Sequence, residues 1–301
     1  MILCCGEALI DMLPRETAAG ESAFAPHAGG SVFNTAVALG RLDAPVQFFS
    51  GLSSDLFGDI LREQLAASNV DSSPAATADR PTTLAFVTLT DGHASYAFYD
   101  ENTAGRMLSE SDLPETDADA LFFGGISLVV EPCGAAYEAM MLREAPNRLT
   151  MIDPNIRPSF ITDEAAYRAR LTRMMGAADI IKTSDEDLEW ITGNTDAEAL
   201  LASTGAQVIL LTRGGDGVSI VTAKGTFYVA AVKAKVVDTV GAGDTFSAGF
   251  LAQLHKSGHL TKSAIKQAGE AELRAAAAFG AKVAAITVSR AGANPPWTSE
   301  L

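Results

Sequence analysis

The chain has 301 residues, of which 48% are hydrophobic and 20% charged, a composition typical of a folded globular protein rather than a disordered one. This length is enough to bury a sizeable core, as one large α/β domain or as two small ones. The 37 acidic and 22 basic residues give a formal net charge of −15 without a basic cluster, which argues against nucleic acid as a partner.

The N-terminus and the cysteines indicate where the protein works. MILCCG is apolar and has no basic segment before it, so it predicts a first buried strand and not a signal peptide. No run of about 18 apolar residues is present, so we expect no contact with a membrane. Cys4, Cys5 and Cys133 are too few and too scattered for a disulfide framework or a CxxC metal site. We therefore expect a cytoplasmic protein.

Short apolar runs alternate with helical patterns along most of the chain. This alternation predicts an α/β fold in which a mostly parallel sheet is covered by helices on both faces. The predicted strands are residues 1–6, 46–51, 120–125, 149–153, 179–183, 208–212, 218–223 and 285–289. The predicted helices are residues 31–42, 57–68, 134–145, 163–176, 185–192, 196–203, 244–257 and 262–283.

Two segments interrupt this alternation. Residues 81–99 alternate at period two around Asp91–Gly92, a hairpin turn signal, and residues 12–28 are expected to be irregular because they contain Pro14, Gly20 and Pro26. Together the segments predict a small β-rich lid that closes over a ligand. A plain antiparallel edge hairpin is the alternative for residues 81–99.

The predicted hairpin is apolar on both faces. Leu84 and Phe86 share one face, and Ala85, Val87 and Leu89 share the other. Such a hairpin requires cover from a ligand or from a partner. We therefore expect a homodimer that pairs through the lid.

The most informative segment is DTVGAGDTFSAGF, residues 238–250. Gly241, Ala242 and Gly243 precede a predicted helix, and backbone N–H groups at such a turn form an anion-binding concavity. Asp244 adds a carboxylate at its mouth. A structural explanation is that an acid in a first helical turn complements the helix dipole. A functional explanation is phosphoryl transfer to an alcohol, which requires both an anion cradle and a carboxylate that accepts the hydroxyl proton.

The whole segment resembles the C-terminal signature of the ribokinase-like (PfkB) carbohydrate kinases. AGGSVFNTAVALGRL, residues 28–42, is similar to the Gly-Gly-x-x-x-Asn sugar-binding turn and helix of that family, in the expected order and about 210 residues upstream. The resemblance implies a single kinase domain over residues 1–301, built as a three-layer α/β/α sandwich with a mostly parallel sheet. It also implies a β-sheet lid from roughly 12–28 and 81–104, and ATP and Mg²⁺ as cofactors.

The resemblance further implies roles for individual residues. Asp244 is the implied general base, and Gly241, Ala242 and Gly243 form the implied anion hole. The implied sugar contacts are Asp11, Gly29, Gly30, Asn34, Tyr99, Asn155 and Arg157, and the implied nucleotide contacts are Thr212, Gly214, Gly217 and Gly280. Structural alternatives stay open: Asn34 as a helix cap, Arg157 in a surface salt bridge, and TRGGDG (212–217) as a β-turn.

One landmark departs from the family pattern. Members often have Asn-x-x-Glu near the magnesium site, where this chain has Ser184 and Asp187 in KTSDEDLEW. Asp187 is therefore the expected Mg²⁺ residue, with Glu186 as a substitute and a helix cap at Ser184 as the structural alternative. A site for K⁺ beside the anion hole is implied by a further set of residues: Asp238, Val240, Thr287, Gly292 and Asn294.

The segment YAFYDENTAGRML, residues 96–108, resembles fructokinase-type sequences and bears on the choice of sugar. Asp100 and Glu101 disfavour an anionic substrate and favour a neutral one such as fructose, although Arg106 or Arg157 could reach a carboxylate. The open alternatives are a kinase of 2-keto-3-deoxygluconate, of ribose or of a nucleoside, and a non-catalytic sugar sensor.

Overall fold

The structure, a computed structural model, describes residues 1–90 and 93–301, and for residues 88–90 and 93–96 it describes the backbone alone. The predicted Asp91–Gly92 turn and the side chain of Leu89 lie outside the described residues. The strands are β1 (Ile2–Cys5), β2 (Leu9–Glu16), β3 (Ser22–Gly29), β4 (Val46–Phe49), β5 (Gly51–Ser53), β6 (Ala76–Ala78), β7 (Leu84–Thr90), β8 (His93–Tyr99), β9 (Ala120–Gly124), β10 (Leu149–Asp153), β11 (Ile180–Ser184), β12 (Val208–Thr212), β13 (Val218–Thr222) and β14 (Gly225–Val229). The α-helices are α1 (Ser31–Arg41), α2 (Leu56–Ala67), α3 (Cys133–Glu144), α4 (Glu164–Ala177), α5 (Asp185–Thr192), α6 (Ala197–Thr204), α7 (Ala242–Lys256), α8 (Lys262–Gln267) and α9 (Glu270–Val288).

The main sheet has the strand order β14-β13-β12-β11-β10-β9-β1-β4. Strands β4, β1, β9, β10, β11 and β12 are parallel, whereas β13 and β14 continue the sheet in antiparallel pairing. The carboxyl ends of the six parallel strands therefore meet at one edge of the sheet. In open parallel sheets, ligands bind outside this edge.

Alternating residues of the parallel strands face two separate cores. In β1, Ile2 and Cys4 contribute to one core, and Leu3 and Cys5 contribute to the other. Helices α1, α2, α7 and α9 cover the first face, and α3, α4, α5 and α6 cover the second, which gives three layers. Within the part of the chain that the structure describes, no helix combines the length and apolar composition needed to cross a bilayer.

A second sheet with the order β3-β2-β7-β8 stands beside the main sheet. Residues 12–28, which we expected to be irregular, instead belong to two antiparallel strands and their turn. The prolines fit because β3 is an edge strand that contains Pro26, and because β2 pairs with β7 only at residues 10–12, before Pro14. A small third sheet joins β5 and β6.

The last predicted strand is wrong. Residues 285–288 form the final turn of α9, and Ser289 caps it. The β-branched run Ile286–Val288 suggested a strand. The buried positions instead continue the helical pattern of Leu273, Ala276 and Val283, which pack against α7. Tertiary packing therefore outweighs the local strand propensity. The predicted helix 262–283 is also divided at Gly269, whose N–H donates to the Glu272 carboxylate at the start of α9.

Candidate active site

A cleft of about 960 Å³ lies at the carboxyl edge of the main sheet. Asp11 and Phe98 of the second sheet line one end of the cleft. Thr212, Gly214 and Gly217 after β12 line the other end, together with Ala281 of α9. Asp244 lies on the cleft wall at the start of α7, so the cleft joins the residues of both sequence signatures.

The Asp244 carboxylate is buried and is held by three side chains. Ser31 Oγ donates to Oδ1 at 2.8 Å, and Asn34 Nδ2 donates to Oδ2 at 2.9 Å. Asn155 Nδ2 donates to Ser31 Oγ at 2.7 Å and lies 3.4 Å from Asp244 Oδ1. Both Ser31 and Asn34 lie in the first turn of α1. The two helices that carry the signatures therefore meet at this carboxylate, which faces the cleft in a fixed orientation.

The GAGD turn begins α7 in the way that an anion cradle requires. Gly241 has φ +76°, and a Cβ there would lie 2.6 Å from the Ala293 Cβ, so both the backbone and the space demand glycine. The helix starts at Ala242, and its N-terminus lies at the cleft, where the helix dipole favours an anion. Gly241, Ala242, Gly243 and Asp244 all line the cleft, as the sequence predicted.

Burial sets the protonation behaviour of two carboxylates that line the cleft, Asp244 and Asp11. It raises the pKa of Asp244, and the hydrogen bonds from Asn34 and Ser31 partly oppose that rise. Burial, with a smaller contribution from the charge of Asp244, raises the pKa of Asp11 to about 6. Carboxylates with raised pKa values are better proton acceptors than exposed ones.

The Gly29–Gly30 turn makes room for the Asp11 carboxylate and for the backbone of Glu7. A Cβ on Gly29 would lie 2.2 Å from Asp11 Oδ2, and Gly30, with φ +109°, is the N-cap of α1, where a Cβ would lie 2.8 Å from the Glu7 carbonyl. Asp11, Gly30 and Asn34 line the cleft directly. Gly29 acts through the space that it leaves for Asp11.

Tyr99 is the predicted sugar contact that the structure does not bring to the cleft. It pairs with Leu84 and stacks edge-on against Phe86, on the face of the second sheet opposite to Asp11, and its side chain is 63% exposed. Because side chains alternate along a strand, its neighbour Phe98 faces the cleft instead. In this structure the aromatic residue of β8 that lines the cleft is therefore Phe98, and a sugar contact by Tyr99 stays a prediction.

Glu7 is a site residue that the sequence analysis missed. It follows β1 and is buried, and burial raises its pKa. Oε1 accepts the N–H of Ser31 at 2.8 Å and Oε2 accepts the N–H of Ser127 at 3.4 Å. Gly125, with φ +73°, leaves the space for this carboxylate, since a Cβ there would lie 2.1 Å from Oε1. Glu7 thereby holds the start of α1, which carries Ser31 and Asn34, two of the three partners of Asp244.

Asp153 and Lys182 form a second missed feature. Asp153 is the last residue of the apolar strand β10, and Lys182 lies inside the apolar strand β11. Lys182 Nζ donates to Asp153 Oδ2 at 2.8 Å in a buried ion pair. Lys182 lines the cleft, and its Nζ lies 3.0 Å from where a Gly243 Cβ would be. A charged residue inside the apolar run DIIKT was the signal, because lysine is rarely buried without a specific role.

The predicted nucleotide turn lies at the far end of the cleft. Thr212, Gly214 and Gly217 line it, and Gly217 has φ +95° with no room for a side chain against the Val229 carbonyl. Gly280 does not line the cleft. Its Cα packs at the crossing of α9 with Gly249 of α7, and the neighbouring residues Ala281, Ala284 and Ala285 face the cleft instead.

The predicted Mg²⁺ region lies at the N-terminus of α5. Ser184 is the N-cap, as the structural alternative proposed, and its Oγ accepts the Asp187 N–H at 3.0 Å. Asp187 Oδ1 accepts the Ile156 N–H at 3.1 Å, and Ser184, Glu186 and Asp187 all line the cleft. These oxygen donors suit a hard cation. Among the described residues no group of three or more acidic, histidine or cysteine side chains forms a preformed metal cage.

The predicted K⁺ residues lie in two adjoining loops. Asp238 Oδ1 accepts the Val240 N–H at 3.0 Å, and Oδ2 accepts the Gly292 N–H at 2.8 Å, so this carboxylate ties the GAGD loop to the segment after α9. Thr287 is buried and its hydroxyl donates within α9. Asn294 Oδ1 accepts from Arg41 at 2.8 Å.

Two arginines considered for substrate contact have different surroundings. Arg106 forms an ion pair with Asp100 at 3.1 Å, and neither residue lines the main cleft. Arg157 lines the cleft, and its charge acts on Asp244. Arg157 is therefore the arginine placed to meet a substrate anion, since Asp100 already neutralises Arg106.

Known proteins resemble this chain over nearly its whole length. The model of the pfkB family of carbohydrate kinases matches residues 1–300. A fructokinase of Rhizobium leguminosarum bv. trifolii is 53% identical over 279 residues, which cover 91% of this chain and 86% of that protein.

Solved structures share the fold. The crystal structure of a fructokinase from Xylella fastidiosa with bound ATP matches with a TM-score of 0.90 at 30% identity, covering 97% of this chain and 93% of the other. A fructokinase from Vibrio cholerae O395 in a fructose-, ADP- and calcium-bound form matches with a TM-score of 0.84 at 25% identity, covering 97% and 94%. The predicted ribokinase-like three-layer fold is confirmed. The chain belongs to the pfkB family of carbohydrate kinases.

Proposed function

We propose that this protein is an ATP-dependent sugar kinase that converts fructose to fructose 6-phosphate. The observation that carries the proposal is the Asp244 carboxylate, which Ser31 and Asn34 fix at the N-terminus of α7. That arrangement places a proton acceptor beside an anion cradle, as transfer of a phosphoryl group to an alcohol requires. The fructokinase relatives support the activity and the choice of sugar.

In the proposed reaction the sugar binds between Asp11, Gly30 and Asn34, and its reactive hydroxyl faces Asp244. Asp244 accepts the hydroxyl proton as the sugar oxygen attacks the γ-phosphorus. The bond from that phosphorus to the β-phosphate oxygen breaks, and ADP leaves. The backbone N–H groups at residues 241–243 stabilise charge on the transferring group, because they are oriented before the reaction begins.

ATP would occupy the end of the cleft between the 212–217 turn and α9. Arg157 supplies positive charge on the phosphate side. Mg²⁺, when bound through Asp187, Glu186 or their waters, would neutralise charge on the phosphates. K⁺ at the Asp238 loop would order the GAGD turn, because the Asp238 carboxylate already accepts the N–H of Val240 just before that turn and the N–H of Gly292.

A neutral sugar fits the charges of the cleft better than an acidic one. The sugar end contains Asp11, Asp244 and Glu7, whereas Arg106 is paired with Asp100. An acidic substrate such as 2-keto-3-deoxygluconate would need Arg157, which the nucleotide phosphates also require. This competition favours fructose over the keto acid.

The second sheet is proposed to act as a lid and as the surface of a homodimer. Its inner face presents Asp11 and Phe98 to the cleft, so closure would exclude water as a competing acceptor. Its outer face has aromatic rings that a second copy could cover. A cytoplasmic location is proposed from the three cysteines, which are buried and free and suit a reducing compartment.

ADP release from purified protein with MgATP tests the function. Fructose, ribose, adenosine and 2-keto-3-deoxygluconate are compared, each with and without K⁺. We expect turnover with fructose at least about tenfold more efficient than with the others. A preference for the keto acid would contradict the neutral-sugar argument while keeping the kinase, and binding of fructose without ADP release would indicate a sensor.

A further inference from the structure

The ammonium group of Lys182 is buried beside the anion hole and is only partly neutralised. The side chain comes from the middle of β11 and is 5% exposed, and its partner Asp153 at the end of β10 is fully buried. For the three N–H donors of the ammonium, the described residues supply one acceptor, Asp153 Oδ2 at 2.8 Å. Asp153 Oδ1 accepts no hydrogen bond from those residues. A buried ion pair with unused hydrogen-bonding groups on both partners is costly to fold.

The unused donors of Lys182 lie where the cleft receives phosphate. The Nζ is 3.0 Å from the position that a Gly243 Cβ would take, so it lies beside Gly243 and occupies the space that this glycine leaves. The cleft lining includes Lys182 together with Gly241, Ala242 and Gly243. A full positive charge and the N-terminus of α7 therefore converge on one point.

The charge on Lys182 persists despite its burial. Burial alone would lower the pKa of the ammonium, but the carboxylates of Asp153, Asp187 and Asp244 outweigh it, and the pKa is raised. The group is thus a permanent cation at neutral pH. It donates hydrogen bonds without giving up a proton.

A second lysine–aspartate pair shows what a structural ion pair looks like in this fold, with Asp179 buried and the Lys262 side chain 26% exposed. Lys262 bonds to both oxygens of Asp179, at 2.7 and 2.8 Å, and Asp179 Oδ2 also accepts the Thr150 N–H at 3.0 Å. Neither residue lines the cleft. In that pair both carboxylate oxygens accept hydrogen bonds, whereas in the Lys182 pair Asp153 Oδ1 accepts none from the described residues and the ammonium lies at the cleft.

We propose that Lys182 is a catalytic residue that donates hydrogen bonds to the γ-phosphoryl oxygens during transfer, and that Asp153 is the positioning residue for its ammonium. The inference rests on the proposed kinase function and deepens it. As the bond from phosphorus to the β-phosphate oxygen breaks and the bond to the sugar oxygen forms, the sugar proton goes to Asp244. Lys182 keeps its proton and stabilises the negative oxygens of the moving group.

The double variant Lys182→Met/Asp153→Asn tests this role, because it removes both charges and leaves no unpaired buried ion. The matched control is Lys262→Met/Asp179→Asn, which removes a lysine–aspartate pair that lies outside the cleft. For the Lys182 variant we expect kcat to fall by roughly 10²- to 10³-fold, the scale of a lost transition-state donor, with fructose KM within about threefold of wild type. For the control we expect kcat within about threefold.

A binding measurement gives a readout besides turnover. Tetrafluoroaluminate with ADP and fructose is an analogue of the transition state of phosphoryl transfer. An enzyme that stabilises this transition state therefore binds ADP more tightly in its presence. Calorimetry of the wild type should show this tightening, and the Lys182 variant should lose most of it. Retained tightening, or a kcat within about threefold of wild type, would overturn the proposal.

Two further measurements distinguish a failure of the variant to fold, a failure of the proposed function and a failure of the Lys182 proposal. If the double variant does not fold, Lys182→Gln, which still donates to Asp153, is held to the same thresholds. Wild-type turnover of fructose is measured first, and its absence would contradict the proposed function. An active wild type with an equally active variant would contradict only the role of Lys182.

Discussion

The amide nitrogen of Asn34 donates to Oδ2 of Asp244 at 2.9 Å, which joins residues 210 positions apart. Asn34 lies in the first turn of α1 and Asp244 in the first turn of α7, so this bond fixes the two helix N-termini against each other. The carboxylate of the proposed base is thereby oriented by the residue proposed to bind the sugar. Sugar position and proton acceptance are coupled through one contact.

Replacement of Asp244 by asparagine should abolish catalysis while leaving the fold intact. The amide has the shape of the carboxylate, its oxygen can accept from Asn34, and its nitrogen can donate to Ser31 Oγ. We expect kcat to fall at least about 100-fold, the scale of a lost general base, in steady-state ADP-release assays. The control is fructose affinity by calorimetry, expected within about threefold of wild type. Near-normal turnover would contradict the assigned mechanism.

Fructose binding should weaken as the pH falls through about 6. The Asp11 carboxylate, whose pKa burial and Asp244 raise to about 6, accepts hydrogen bonds from sugar hydroxyls more strongly when it is ionised than when it is protonated. Fructose KM measured from pH 5 to pH 8 should therefore rise on the acidic side, and the Asp11→Asn variant should show a high KM without that dependence. A fructose KM that is constant in wild type from pH 5 to pH 8 would exclude Asp11 as the titrating ligand.

The same carboxylate should cost stability at neutral pH. Because the folded-state pKa of Asp11 is raised from 3.8 to about 6, the folded state binds the proton more tightly than the unfolded state does. The contribution of this group to the free energy of unfolding then falls as pH rises from about 4 to 6. Above about pH 6 the full loss of stability caused by Asp11 is present. Urea denaturation should show Asp11→Asn more stable than wild type by about 1–3 kcal/mol at pH 8 and little changed at pH 4.

Gly125 should tolerate alanine far worse than Gly193 does. Both have positive φ, +73° and +76°, but a Cβ on Gly125 would meet the Glu7 carboxylate, whereas nothing lies within 4 Å of one on Gly193. Glu7 cannot yield because its oxygens accept the N–H groups of Ser31 and Ser127. Urea denaturation should give a loss of about 1 kcal/mol for Gly193→Ala and about 3 kcal/mol or more for Gly125→Ala. Equal losses in the free energy of unfolding would show that backbone strain alone, and not the contact with Glu7, determines the effect of alanine at Gly125.

The sequence was most informative where local pattern and chemistry agree. Parallel strands are short apolar runs because both faces are buried, and the GAGD turn needs glycine for its backbone, so both could be recognised from residue types alone. The signatures also predicted the carboxylate, the anion hole and the Gly29–Gly30 turn.

The errors arise where distant packing decides. Residues 285–288 have strand propensity, yet the close crossing of α9 with α7 at Gly280 and Gly249 keeps them helical. Gly280 itself packs at that crossing and does not line the cleft. Tyr99 and Phe98 differ by one position, and only the register of β8 reveals which ring faces the cleft. Glu7 and Lys182 act through contacts with residues far along the chain, which no local pattern specifies.

The outer face of the second sheet should mediate a dimer. Phe24, Phe86 and Tyr99 form a row of edge-to-face rings with centroid distances of 5.0 and 5.3 Å, and Phe24 and Tyr99 are 44% and 63% exposed. Burying such rings against a second copy would stabilise association by a few kcal/mol. Light scattering after size exclusion should give a dimer for wild type and a monomer for Phe24→Ser/Tyr99→Ser. The matched control is Leu142→Ser, which changes an exposed apolar residue on α3 and should remain dimeric. A monomeric wild type would contradict the dimer itself. A double variant that remains dimeric would place the interface elsewhere.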